Sequence, residues 1–403
     1  MSEKILPDMN IGIVGHVDHG KTTLTETLTG KWASVHSEEL RRGITIRLGY
    51  ADAIFYKCHK CGSFQTTPKC RRCFEDCEPV RAVSIVDAPG HETLMATVLS
   101  GASLMDAAIL VIAANEDVPQ PQTAEHLKAL DIVGIKDIII AQNKIDLVSE
   151  ESAVKNYNAI KNFVKGTVAE NAPIIPVSAL HNANIDILIQ AVMDDFKPTV
   201  RRSEDDPLFL IARSFDVNKP GTPIEKLVGG VIGGSMISGT LSTNDEIAIS
   251  PIQFTDGSWR ELKTKITSIN QGKNKLDKAK PGGLIALGTM LDPSLTRGDG
   301  FVGRLAGMPG KLPQISGSIK MKITLFDYVV GIKGQAKVER IKSKDSLMLT
   351  AIIARTVGSV ISAKKDEAEV VLKIPICVRP GDKVAISKQI EGRWHLIGWG
   401  IVK

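Results

Sequence analysis

A chain of 403 residues exceeds one ordinary hydrophobic core and predicts two or three domains. A hydrophobic share of 43% with 24% charged residues excludes a disordered chain. No apolar run approaches the roughly 20 residues of a membrane helix, and a net charge of +5 is compatible with an RNA partner without demanding one. The opening "MSEKILPDMN" lacks the apolar segment of a secretory signal, so the cytoplasm is the expected compartment and no membrane partner is expected.

In chain order, "NIGIVG" (10–15), "AVSIVDAPG" (82–90), "AAILVIAAN" (107–115), "DIIIAQNKID" (137–146) and "PIIPVSAL" (173–180) read as buried strands. Between them, "TTLTETLTG" (22–30), "PQTAEHLKALDIV" (121–133) and "NYNAIKNFVKGTV" (156–168) read as helices. This alternation predicts an α/β domain over 1–203, with a mostly parallel sheet covered by helices on both faces. After the polar linker "DDFKPTVRRSEDDP" (194–207), glycine-punctuated alternating runs predict antiparallel structure. The break "AGMPGKLPQISG" (306–317) divides it into two small β-barrels, over 204–308 and 309–403.

"GHVDHGKT" (15–22) has the G-x-x-x-x-G-K-T spacing of a phosphate-binding loop between a strand and a helix. Backbone N–H groups in such a loop close on phosphate oxygens at a helix N-terminus, whose dipole favours an anion. The candidate nucleotide contacts here are Val17, Asp18, His19, Gly20, Lys21, Thr22 and Thr23. Lys21 would reach the β- and γ-phosphates, and the Thr22 hydroxyl would ligate magnesium. Asp18 is expected near that magnesium, directly or through water, whereas His16 and His19 are expected to shape the loop. In "DAPGH" (87–91), Asp87 is placed to hold magnesium through water and the Gly90 N–H to sense the γ-phosphate. His91 is either the residue that orients the attacking water or a capping or surface histidine. In "RRGITI" (41–46), Gly43 and Thr45 are candidate magnesium contacts, Thr45 being otherwise an ordinary β-branched strand residue.

"NKID" (143–146) ends a predicted strand, where the Asp146 carboxylate can accept both N1–H and N2–H of guanine. Adenine lacks that pair of donors, so GTP and GDP are favoured over adenine nucleotides. Asn143 and Lys144 would hold this loop and cover the ring. Ser178, Ala179 and Leu180 supply a second base-facing loop.

Five of the six cysteines crowd into 58–77, in an insert over about 56–80. Cys58 and Cys61, then Cys70 and Cys73, have the paired C-x-x-C spacing of a four-thiolate Zn2+ knuckle. Gly62 gives the turn that lets backbone N–H groups reach sulfur. Two disulfides are the alternative, disfavoured in a reducing compartment, and Cys77 could replace Cys73. Cys377 reads as a buried apolar residue.

"GHVDHGKT", "RGITI", "DAPGH" and "NKID" in this order resemble the translational GTPases, which carry a GTP-binding domain followed by two barrels. The stretches "SEELRRGITIRLGYADA" (37–53), "RSFDVNKPGT" (213–222), "PGGLIALGTMLDPSLTRGD" (281–299) and "GRWHLIGWG" (392–400), with the cysteine insert, are most similar to the gamma subunits of initiation factor 2. The compact length is like that of the archaeal members. The resemblance implies a GTPase that binds initiator methionyl-tRNA in its GTP state and delivers it to the small ribosomal subunit. It also implies alpha and beta subunit partners in a heterotrimer. Tyr50 is the candidate for the tRNA-facing pocket, or else a buried strand tyrosine. Val17 and Ile44 would form an apolar wall that keeps His91 from the water until activation. A selenocysteine-specific elongation factor and the GTPase subunit of a sulfate-activating enzyme are the rival readings.

Overall fold

A computed structural model describes residues 5–30, 48–91, 94–198, 204–331 and 336–403. The expected contacts at Gly43 and Thr45, and Ile44 between them, lie outside these residues. The chain divides into two compact units, Met1–Thr199 with Tyr328–Lys337, and Val200–Asp327 with Val338–Lys403.

The first unit is built on strands β1 (Pro7–Gly15), β2 (Gly49–Cys58), β3 (Phe64–Gln65), β4 (Cys77–Asp87), β5 (Ala107–Ala113), β6 (Ile138–Asn143) and β7 (Ile174–Pro176). Their order is β3-β2-β4-β1-β5-β6-β7. β4, β1, β5, β6 and β7 run parallel, as the continuous apolar runs predict. Every residue of β5 is buried, which fits a strand covered on both faces. The helices are α1 (Lys21–Thr29), α2 (Met95–Ala102), α3 (Pro121–Val133), α4 (Glu150–Val164) and α5 (Ile185–Asp195). Met9, Ile11, Ile13, Leu24, Val111, Ile139 and Leu188 lie in the core between these layers.

Several elements differ from the sequence expectation. α3 has the expected bounds, fixed by Pro121 in its first turn and by Gly134 at φ 93 after it. α4 begins six residues earlier than expected, because the Ser149 hydroxyl caps it by accepting from the Ser152 N–H. The strand β2 was not among those expected. It alternates buried Ala51, Ala53 and Phe55 with more exposed positions, and two small alanines give a weak apolar signal. It pairs antiparallel with β4, so the sheet is mixed at this edge. Helices α2 and α5 likewise add to the elements the sequence predicts.

The second unit holds two closed antiparallel barrels of six strands each. The first contains β8 (Leu208–Phe215), β9 (Val231–Ser238), β11 (Glu246–Gln253), β12 (Trp259–Gln271), β15 (Ile285–Thr289) and β16 (Leu305–Gly307). Pairing of β11 with β12 closes it, while the short β13 (Asn274–Leu276) extends β12, and β10 (Leu241–Ser242) pairs with β14 (Lys278–Ala279). The second joins β17 (Ile315–Leu325), β20 (Glu367–Cys377), β19 (Ala354–Ala363), β18 (Ser346–Ala351), β21 (Lys383–Ile390) and β22 (Arg393–Val402). Each has its own core, around Phe209, Ile249 and Leu287 in one and Met321, Leu349 and Ile386 in the other. Cys377 is buried, as expected of an apolar residue. Among the described residues no helix is long and apolar enough to cross a membrane.

Candidate functional site

The phosphate loop starts where β1 leaves the sheet. Gly15 sits at φ 142, and a Cβ there would lie 2.3 Å from the Val111 carbonyl oxygen, so the position takes only glycine. Its N–H donates to Nδ1 of His126 at 2.9 Å, across from α3. Burial pushes the His126 pKa down to about 3, which keeps the ring neutral and able to accept. His19 is also buried. Its Nδ1 donates to the Val111 carbonyl at 2.9 Å, and desolvation lowers its pKa to about 4. The ring is therefore neutral, and its 3.4 Å approach to Glu116 is not an ion pair near neutral pH. The side chain of His19 faces the core, which leaves only its main chain for a nucleotide and agrees with a loop-shaping role.

Asp18 is exposed at φ 59 and Gly20 sits at φ 87, two left-handed residues that turn the loop into α1. Thr22 and Thr23 lie in the first turn of that helix, which carries no carboxylate to compete for its N-terminal N–H groups. Lys21 is buried and donates from Nζ to the His16 carbonyl at 2.5 Å. Desolvation lowers its pKa to about 8, partly opposed by Asp87 and Asp18. The Thr22 hydroxyl donates to Asp87 Oδ2 at 2.9 Å, so a hydroxyl and a fully buried carboxylate meet at the loop. Two hard oxygens on this spot fit a magnesium ion. A Cβ on Gly90 would come within 2.3 Å of Lys21 Nζ and 2.9 Å of the Val17 nitrogen, so the "DAPG" loop lies directly on the phosphate loop. His91 follows at once and is half-buried. Tyr50 is partly buried on β2 opposite Val86, one residue along from the Gly49–Asp87 pair.

Asn143 joins the loops. Its Nδ2 donates to the His19 carbonyl at 2.9 Å, and its Oδ1 accepts from the Ala179 N–H at 3.0 Å. The same side chain fills the space beside Gly20, where a Cβ would lie 2.4 Å from Nδ2. Lys144 then turns the chain at φ 62. The Ser178 hydroxyl holds the Asp146 carboxyl below the usual carboxylate range, so Asp146 is ionised and can only accept hydrogen bonds. Thr27 of α1 donates to the Ala179 carbonyl at 2.9 Å, and Leu180 stands exposed beyond it. Each described candidate of the phosphate, "DAPG", "NKID" and "SAL" segments thus lies on one end of the sheet, beyond the carboxyl ends of β1, β4 and β6. Sequence reasoning missed His126. The available signal was an amphipathic helix whose buried side carries Gln122, Thr123 and His126 instead of purely apolar residues.

The four cysteines Cys58, Cys61, Cys70 and Cys73 converge, with their sulfurs all within 4.8 Å of one another. Cys58 and Cys73 approach to 3.4 Å, Cys61 and Cys70 to 3.5 Å, and Cys61 and Cys73 to 3.8 Å. A tetrahedral zinc with Zn–S of about 2.3 Å needs sulfurs about 3.8 Å apart, so the set fits that ion. Both turns close alike: Gly62 N–H donates to the Cys58 carbonyl at φ 72, and Phe74 N–H to the Cys70 carbonyl at φ 60. Cys77 is outside the group and pairs through its backbone with Cys58.

Residues 7–198 match the family described as the elongation factor Tu GTP binding domain, and residues 317–402 match initiation factor eIF2 gamma, C terminal. The chain is 56% identical to the translation initiation factor 2 subunit gamma of Pyrococcus horikoshii and to that of Methanocaldococcus jannaschii, over 98% of its own length and 97% of theirs. It is similar in fold to a bacterial selenocysteine-specific elongation factor, with a TM-score of 0.75 at 24% identity over 99% of this chain and 58% of that one. The elongation factor SelB of Methanococcus maripaludis with a GTP analogue gives 0.72 at 22%, over 100% of this chain and 80% of the other.

Proposed function

The chain belongs to the gamma-subunit family of translation initiation factor 2, and from that premise we propose that it carries initiator methionyl-tRNA in its GTP state. It is a translational GTPase that hydrolyses GTP, and a GTP-dependent subunit of an initiation factor. In this reading it works in the cytoplasm with alpha and beta subunits, delivers the tRNA to the small ribosomal subunit and releases it after hydrolysis. The selenocysteine-factor likeness is one of fold alone and favours no second reading.

The observation that carries the site assignment is the Asn143 side chain, which ties the phosphate loop to both base-facing loops. Lys21 and the loop amides bind the phosphates, Asp146 reads guanine, and the Gly90 N–H senses the γ-phosphate. Magnesium would be held by Thr22 and through Asp87, with Asp18, Gly43 and Thr45 as further contacts, and would neutralise phosphate charge. His91 orients the attacking water, and Val17 with Ile44 would hold it back until activation. Zinc on Cys58, Cys61, Cys70 and Cys73 would fold the insert. Tyr50 faces the tRNA. We assign the domains to 1–203, 204–308 and 309–403.

The test is methionyl-tRNA binding measured with GTP and with GDP. A coupling of about 1–3 kcal/mol gives a preference for the GTP form of several-fold to hundredfold. Equal binding in both states would overturn the switch, and equal binding of other aminoacyl-tRNAs would overturn the initiator assignment.

A further inference from the structure

The cysteine insert lies against the helix that begins where the second base loop ends. Ser178 and Ala183 exchange backbone hydrogen bonds at 3.1 Å each, which pins that loop at its base. The chain then passes through Asn182 at φ 56 and Asn184 at φ 58 straight into α5, and the Asn184 amide donates to the Pro176 carbonyl at 2.8 Å. Any rotation of the first turn of α5 is therefore passed to Ser178, whose hydroxyl holds Asp146.

The insert grips this turn. Phe64, Gln65 and Arg72 face Asn184, Asp186 and Ile189 across a narrow cleft. Arg72 Nη2 meets Asp186 Oδ2 at 2.6 Å, in the first turn of α5. Two contacts aim Arg72 from the knuckle side. Its own N–H donates to Cys70 Sγ at 3.4 Å, and the Arg71 N–H donates to Oε1 of the buried Gln65 at 3.3 Å. Arg72 also lies between two of the four converging cysteines, so the order of the sulfur cluster sets where its guanidinium points.

We propose that the knuckle is a brace for the guanine-reading loop, with Arg72 and Asp186 as positioning residues for nucleotide binding. The idea rests on the guanine site argued above. Its consequence is that zinc occupancy, some distance from the nucleotide in sequence and chemistry, sets how long GDP stays bound.

The experiment follows release of a fluorescent GDP analogue from the full chain, zinc-loaded and zinc-stripped, together with the unfolding midpoint. Arg72→Ala and Asp186→Asn keep every cysteine. Because the ion pair is partly exposed, each is expected to speed release about two- to fivefold with an unchanged midpoint. Stripping zinc speeds release in the parent chain and adds little in Arg72→Ala, because the link is already cut. The charge swap, Arg72→Asp with Asp186→Arg, restores slow release. Release at the parent rate in both single variants, with and without zinc, would overturn the brace. A parent chain that holds ADP as firmly as GDP would overturn the guanine site beneath it.

Discussion

The phosphate loop and the cysteine knuckle solve one geometric problem with opposite means. Each bends the backbone through left-handed residues, Asp18 and Gly20 in one and Gly62 and Phe74 in the other. Such turns gather N–H groups around negative charge. The phosphate loop is held from below by side chains that never leave the core. His126 takes the Gly15 N–H, His19 reaches Val111, and Asn143 spans to the base loops. The knuckle has Cys58 and Cys70 buried but Cys61 and Phe74 exposed, and beneath it lie the packing of Phe64 on the core and the half-exposed Arg72–Asp186 ion pair. One loop is shaped before its ligand arrives. In the reading proposed above, the other would be held in shape by zinc on its four sulfurs.

The largest consequence is acid lability of the phosphate domain. His19 and His126 have folded pKa values of about 4 and about 3, depressed from 6.5 by burial. Between those values and 6.5 the unfolded chain binds more protons than the folded one, so stability rises with pH and is lost as pH falls below 6.5. Each histidine contributes a slope of about 1.4 kcal/mol per pH unit, so the pair costs about 5 kcal/mol by pH 4.5. Denaturant midpoints measured from pH 7 to 4.5 check this. A flat profile would mean that the two rings are not buried in their neutral form.

Next comes Lys21, the amine of the loop that burial penalises in its charged form. Its lowered pKa says that burial disfavours the ammonium when no phosphate is near. Lys21→Met is expected to weaken GDP binding roughly a hundredfold, the scale of a lost buried charge-assisted contact. The same change should leave the unfolding midpoint unchanged or raised, because an unpaid desolvation cost disappears. A lowered midpoint would show that the lysine supports the loop rather than the ligand.

These two regions also differ in how far the sequence revealed them. The knuckle was legible because both halves are local: C-x-x-C brings two sulfurs to one turn, and Gly62 supplies the left-handed residue. Its one ambiguity, Cys73 against Cys77, came from two candidates of equal chemistry. The structure separates them because the Cys73 sulfur lies within 4.8 Å of the other three, while Cys77 is outside that group. The phosphate loop was legible as a backbone pattern, and "NKID" and "SAL" as its companions. Its supports were not. The bond from Gly15 to His126 spans 111 residues, and no local spacing marks a histidine on a buried helix face as an acceptor for one amide. The β2 edge escaped for a related reason. Gly49–Cys58 relies on alternation with small alanines, and pairing with β4 supplies what the weak pattern lacks.

His126 gives a third, smaller test. His126→Leu leaves the Gly15 N–H buried without its acceptor, a cost of about 1–3 kcal/mol, and is expected to weaken GDP binding about tenfold. In His126→Asn the amide oxygen stands near where Nδ1 stood and can accept the same bond, so affinity should stay within about threefold of the parent. The Asn variant also removes one histidine slope from the acid profile. Equal loss in both variants would mean that the ring fills space and does not orient the loop.

The smallest effect on global stability belongs to the knuckle, and that smallness is itself the sharpest form of the comparison. Cys70→Ser removes one of four sulfurs, so zinc content should fall to near zero by metal analysis. Without the ion, the turns at Gly62 and Phe74 keep only hydrogen bonds and half-exposed ion pairs, and the segment between β2 and β4 should be cut by proteases that spare the parent chain. The core should lose less than about 1 kcal/mol, because β2 and β4 pair along Gly49–Phe55 and bury their apolar residues outside the insert. A shift of several kcal/mol would place the knuckle among the supports of the core and erase the distinction between a preformed loop and a ligand-formed one.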